Sequence, residues 1–188
     1  MPIDILPIVK NPTKVLRRRA EAIRADEIAT PKIQRLIKAM KATLAETPDG
    51  VGLAASQVGE TLRLFIVSAE ADQINKSDEQ PDKEKEGRAD ERAEIREKRT
   101  WTYDVYINPV VLKQARKKIS DAEGCLSVPG KFGIVRRVEK ITVEALDEAG
   151  KKVTKVGTRF VARVIQHELD HLDGVLFIDK VDQWLDTP

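Results

Sequence analysis

The sequence predicts an α+β fold, with mostly antiparallel sheet wrapped around one central helix, in a single domain of residues 1–188. Three observations carry that expectation. Short apolar runs bounded by Gly, Pro, Asn or Asp recur through the middle and second half of the chain, as strands do. Two stretches, Ile33 to Leu44 and Phe160 to Leu172, carry helical periodicity instead. At 188 residues the chain is long enough to bury one proper core.

In order, Met1 to Pro12 is apolar but broken by Pro2, Pro7 and Pro12, and reads as an extended arm lying on the domain. Pro12 to Ala22 reads as a short basic helix that Asn11 can cap, with Arg17, Arg18 and Arg19 on a solvated face. Thr30-Pro31 is a helix start, with Thr as N-cap and Pro in the first turn. Ile33, Leu36, Ile37, Met40 and Leu44 follow at helical spacing to about Glu46, and Pro48-Asp49-Gly50 ends the run. Leu62 to Ala69 is a central strand. From Glu70 to about Thr100 the composition turns to Asp, Glu, Lys, Arg and Gln, with Pro81 and Gly87 as breakers. Such a segment buries too little to fold on itself, so residues 70–100 are expected to be a flexible charged insertion. Ala89 to Lys98 could form an exposed helix within it, helped by a Glu94–Lys98 pair. Asp104 to Ile107 and Val110 to Ile119 read as two strands joined at Asn108-Pro109. Phe132 to Val138, Ile141 to Leu146 and Val153 to Val156 are further strands. A helix follows, with Thr158 as N-cap and Gly174 just past its end. Val175 to Ile178 is a short apolar strand or turn, and Trp184 is expected to pack a last short helix.

Charge and composition exclude some functions. Lys and Arg number 33 against 31 Asp and Glu, a net charge of +2, which argues against a general nucleic-acid binder. No apolar run is long enough to span a membrane, and no charged-then-apolar signal opens the chain. With one cysteine, that composition suits a reducing cytoplasm.

Chemistry concentrates in Gln166-His167-Glu168-Leu169-Asp170-His171-Leu172-Asp173-Gly174. His167 and His171 are the only histidines. Four apart on a helix, their Cβ atoms lie ~5–6 Å from each other on one face, so both imidazoles can grip one metal ion. Glu168 would then stand within reach of a water on that ion, as a general base. The alternative is an amphipathic helix with two solvated or core histidines. Spending both histidines of the chain on this pattern favours the metal. A catalytic site needs a third ligand. Downstream only Asp173, Asp179, Asp182 and Asp186 are available. Upstream, Cys125 stands in Glu123-Gly124-Cys125-Leu126-Ser127, a turn-like stretch closed by Pro129-Gly130. A small buried hydrophobe is the plain role for a lone cysteine; a turn that aims its thiolate into a cleft is the other.

The three segments Gly50-Val51-Gly52-Leu53-Ala54-Ala55-Ser56-Gln57, Glu123 to Ser127 and Gln166 to His171 resemble, in order, the signature motifs of the peptide deformylase family, bacterial type. The resemblance covers nearly the whole chain except residues 70–100, where typical members have only a short connection. Ser56 stands where many members carry Pro or Thr. The resemblance implies Cys125, His167 and His171 as metal ligands and Glu168 as proton carrier. It implies that Gln57 and the Leu126 N–H hold the oxyanion, and that Gly50, Val51 and Gly52 lie along the substrate. Sulfur and nitrogen donors by themselves suit zinc; the family implies iron(II), with zinc, nickel or cobalt in purified samples. The implied reaction removes the formyl group of N-formylmethionyl nascent peptides as formate. Helix spacing makes Phe160 and Val164, with Val51 opposite, candidate walls of a methionine pocket, with plain core as the alternative. Glu123 is expected to pair with Arg137, Arg136 being the competitor, while Arg163 falls near the same face without an evident role. Some members dock on the ribosome through a long basic C-terminal helix, which is not found here. A transient ribosome contact would use the insertion or the basic N-terminal segment. The expected state is a monomer, without DNA or membrane as partner. Competing readings are an H-E-x-x-H peptidase with a downstream carboxylate ligand, and a closed structural metal site.

Overall fold

Leu64, Phe65, Ile66 and Val67 are consecutive and all buried, which requires a strand covered on both faces. The computed structural model describes residues 4–48, 50–78 and 102–186 and shows how this is met. Strand β2 (Leu64–Ser68) lies between β1 (Gly52–Ala54) and β3 (Tyr103–Gln114) in a five-stranded sheet. Strands β6 (Lys140–Leu146) and β7 (Lys152–Thr158) complete the order β1-β2-β3-β6-β7, every neighbour antiparallel. Helix α2 (Pro31–Ala45) covers one face, where Ile33, Ile37, Met40 and Leu44 pack with Leu53, Leu64, Ile66 and Ile107. The other face carries Phe65, Tyr106 and Val143 against Ala162, Ile165 and Leu172 of the last helix, α4 (Arg159–Leu172). A short helix, α1 (Ala25–Ile28), leads into α2. Strands β4 (Lys118–Cys125), β5 (Val128–Val138) and β8 (Val181–Leu185) form a second antiparallel sheet, over a core of Leu16, Val128, Val135, Leu176 and Phe177. The architecture is therefore α+β, with antiparallel sheets around α4. Among the described residues no helix is long and apolar enough to cross a membrane.

Several local expectations give way to tertiary contacts. Pro12 to Ala22 forms only a 3-10 turn at Lys14–Arg17, and its N-cap, Thr13, makes no side-chain cap bond. The chain beyond it is drawn away: the N–H groups of Ala20 and Glu21 donate to Leu172 O at 2.8 Å and Thr61 O at 2.7 Å. Asp104 to Ile107 and the first part of the foreseen Val110–Ile119 strand are one strand, β3, with a register shift at Asn108-Pro109; the foreseen strand breaks after Gln114, and Ile119 lies in β4. Asn108 absorbs the shift at φ 51°, and its side chain bonds both backbone groups of Ile23. Pro129 and Gly130 lie within β5; the turn itself is at Leu126 and Ser127. Trp184 stands in strand β8, not a helix, because that segment pairs with the edge of β5 at Phe132 to Val135. Residues 70–78, expected in the insertion, form helix α3 (Glu70–Asp78) with Ala71 and Asn75 buried. The remainder of the insertion, including Ala89 to Lys98, lies outside the described residues.

Both ends of α4 are fixed by their surroundings. Thr158 holds the N-cap position but makes no cap bond, since Arg159 turns at φ 46°. Asn75 of α3 caps the helix instead, its Oδ1 accepting the Phe160 N–H at 3.0 Å. At the other end Gly174, φ 74°, closes a Schellman motif in which Gly174 N–H donates to His171 O and Val175 N–H to Asp170 O.

Candidate metal centre and active site

Helix α4 carries His167 and His171 one turn apart, with ring centroids 5.0 Å from each other. Strand β4 ends on Cys125, whose Sγ lies 3.2 Å from His171 Nε2. The ligand atoms of Cys125, His167 and His171 all lie within 4.8 Å of one another. Of the downstream carboxylates, Asp173 pairs with Arg63 at 2.9 Å, Asp179 with Arg17 and the Leu176 N–H, and Asp182 and Asp186 are exposed. Among the described residues the group that could hold a metal ion is therefore Cys125, His167 and His171, with no downstream carboxylate in it.

The surroundings suit a cation. His167 Nδ1 lies 3.0 Å from Glu123 Oε2, which leaves Nε2 to face the centre. Glu123 is buried and gripped by Arg137, Nε to Oε1 at 2.8 Å and Nη2 to Oε2 at 2.9 Å. Arg136 is exposed on the neighbouring position. Arg137 also reaches Asp170, which Lys180 holds in turn at 2.6 Å. Burial works against charge on Glu123, but the hydrogen bonds from Arg137 and His167 prevail and hold its carboxyl well below the usual carboxylate range. Burial likewise opposes charge on His167, yet Cys125 and Glu123 hold it up at about 10. His171 goes the other way: burial, then His167, pushes it well below its ordinary value, so it is neutral and able to ligate. One cysteine sulfur, one neutral imidazole, and a second imidazole whose Nε2 proton a metal ion would displace while Glu123 holds Nδ1, fit a borderline divalent ion.

Glu168 is 3 % exposed, and its Oε2 has no hydrogen-bond partner among the described residues. Burial pushes its carboxyl up to about 7. It fits only because β1 begins with glycine: a Cβ on Gly52 would lie 2.5 Å from Glu168 Oε1. Gln57 follows β1 in a 3-10 turn, Ala55–Val58, which Gly59 ends at φ 92°. Its Oε1 accepts the Ala54 N–H at 2.8 Å, so its amide nitrogen points to Ser127 Oγ at 3.3 Å and Cys125 Sγ at 3.5 Å. The N-terminal arm braces both sides of the cleft. Val9 N–H donates to Gln57 O, Asn11 N–H to Ser127 O, and Lys10 Nζ to Leu126 O at 2.6 Å. Val51 and Phe160 pack against one apolar cluster that includes Val164. Gly50 lies under Leu126, where a Cβ would come 3.1 Å from Leu126 Cδ1.

Sequence reasoning missed Asp170, Lys180, Lys10 and the engagement of Arg163. Arg163 had a visible signal, one turn before His167 on the same stripe of helix.

A three-donor centre beside a buried carboxyl, set at the edge of an antiparallel sheet, is that of a metal-dependent hydrolase. A family model described as polypeptide deformylase matches residues 5–186, and the chain belongs to that family, whose members remove the N-formyl group from nascent peptides. The chain is 37% identical over 184 residues to peptide deformylase 2 of Nostoc sp., covering 98% of this chain and 90% of that one. Among solved structures it is similar to a class I type b peptide deformylase of Acinetobacter baumannii bound to Met-Ala-Ser, at 31% identity and TM-score 0.76, covering 96% of this chain and 100% of the other. The Thermotoga maritima peptide deformylase matches at 30% identity and TM-score 0.71, over 95% and 98% of the two chains.

Proposed function

We propose that Cys125, His167 and His171 hold the metal with which this chain removes the formyl group of N-terminal formylmethionine, and that Glu168 carries the proton. The observation behind this reading is Glu168 itself, buried beside the three donors with one carboxylate oxygen unpartnered. A divalent ion bound there supplies Lewis acidity and lowers the pKa of a coordinated water. Glu168, with its carboxyl near 7, takes a proton from the attacking water and returns it to the leaving amine. The Gln57 amide and the Leu126 N–H donate to the carbonyl oxygen as it gains charge; one such donor contributes ~3–4 kcal/mol to barrier lowering. Strand β1 is an edge strand of its sheet, so the peptide can add alongside Gly50, Val51 and Gly52. Val51, Phe160 and Val164 line the methionine slot.

Iron(II) is the proposed resident metal, which makes activity oxygen-sensitive through the thiolate; zinc, nickel or cobalt can occupy the same donors. The protein acts as a cytoplasmic monomer, in one domain, with transient ribosome contact. In the N-terminal basic segment Arg17 pairs with Asp179, and Arg19 lies 3.9 Å from Asp173. Lys14, Arg18 and Arg19 are still exposed, so the contact can use either this segment or the charged insertion; deleting residues 79–100, which spares Asn75, and measuring ribosome co-sedimentation tests the insertion. The decisive assay is formate release from a formyl-Met tripeptide by anaerobically prepared, iron-loaded enzyme. Release lost in Glu168→Ala supports the reading, and release unchanged in that variant rejects it. An acetyl analogue left intact would show that the site is closed to a larger acyl group.

A further inference from the structure

We propose that Arg163 is a positioning residue for the metal centre: its guanidinium staples the helix bearing the two histidines to the hairpin bearing Cys125. The inference rests on reading the three donors as a metal site. That site is split between elements distant in sequence, and no covalent link sets the spacing of sulfur and imidazoles. Arg163 lies on α4 one turn before His167 and is 3 % exposed. Its Nη1 donates to Glu123 Oε1 at 2.7 Å, Val135 O at 2.9 Å and Asp121 O at 3.3 Å, and its Nη2 to Ile119 O at 3.2 Å. These acceptors belong to both strands of the β4–β5 hairpin. One of them, Glu123, is two residues from Cys125 and is also the carboxylate that orients His167.

Neutralising Glu123 does not require this residue, because Arg137 already grips both its oxygens at 2.8 and 2.9 Å. Burying Arg163 even leaves its Nε without a partner among the described residues. An unbranched apolar side chain in its place would leave Glu123 its bonds from Arg137 but take a donor from the carbonyls of Ile119, Asp121 and Val135, so the loss falls on the hairpin contacts more than on the charge of Glu123. What the planar fork adds is direction, since it reaches one carboxylate and three carbonyls at once, which a point charge cannot do. Arg137 binds Glu123 to Asp170, farther along α4, so the two arginines tie helix and hairpin on either side of His167.

The test uses full-length protein stripped of metal and titrated with cobalt(II) against a chelator, for wild type, Arg163→Met and Arg163→Lys. The d–d and sulfur-to-cobalt charge-transfer bands report ligand geometry apart from turnover. We expect both variants to keep the wild-type far-ultraviolet spectrum. The Met variant should bind cobalt ~10–100-fold more weakly with displaced bands, and the Lys variant should fall between it and wild type. Wild-type affinity and bands in either variant overturn the proposal. Should the Met variant not fold, the Lys variant decides alone, since its ammonium keeps the charge but cannot span the carbonyls. Wild-type protein that takes up no cobalt overturns the metal-site reading, and the staple with it.

Discussion

Glu168 and Gly52 share one space, and the chemistry depends on which atoms fill it. The carboxylate stands where a Cβ on Gly52 would be, 2.5 Å from its Oε1. Gly52→Ala should therefore push Glu168 aside and cut kcat, while the three proposed metal donors stay in place; metal content measured beside kcat checks this. Glu168→Gln keeps the shape but removes the proposed proton carrier. It should lower kcat by ~10²–10⁴ with metal still bound. Gln57→Leu should lower kcat by ~10²–10³ and change KM little, since its donor acts on developing charge; a large rise in KM with kcat intact would assign it to substrate binding instead. At this scale the sequence was informative where residue type is scarce. Two histidines and one cysteine in 188 residues had few other uses. It placed Arg163 on the face of His167 but could not show its partners, the carbonyls of β4 and β5.

Among the elements, α4 depends on its neighbours for both ends. Asn75 was hidden in a stretch that composition marks as solvated, because residues 70–78 carry few apolar groups. The helix forms there because Ala71 is buried and Asn75 reaches the Phe160 N–H and the Thr158 hydroxyl. Asn75→Ala should cost ~1 kcal/mol, as other cap losses do, lowering Tm by ~2–4 °C for a chain of this size. An unchanged melting curve would show that the cap carries no weight. Strand β3 teaches a related point. Asn108-Pro109 looks like a break in one dimension, yet the sheet tolerates it as a bulge because the Asn108 side chain satisfies Ile23.

For the molecule as a whole, charge and metal set the response to conditions. Asp179 is held below its ordinary value, first by the hydrogen bond from Arg17. A depressed carboxyl stabilises the fold above the ordinary carboxylate range, and this contribution is lost as pH falls through the folded value. Asp179→Asn should thus melt slightly below wild type at neutral pH, and the difference should close in acid. The pair is 39% exposed on each side, so the effect is small and screened by salt. Metal acts more strongly. Chelation should lower Tm and reloading restore it, by ~2.7 kcal/mol when free metal is 100-fold above its Kd.

The sequence by itself determined the fold class, the helix from Ile33 to Leu44, the two-histidine stripe and its glycine stop, because these rest on local periodicity, backbone conformation and rare residue types. The tertiary structure decided the rest. Which atom comes beside the two imidazoles, which arginine holds Glu123 and what caps α4 depend on groups 14 to 85 residues apart in the chain. Side chains that act across such separations leave no periodic trace, since their partners are chosen by how sheets and helix pack.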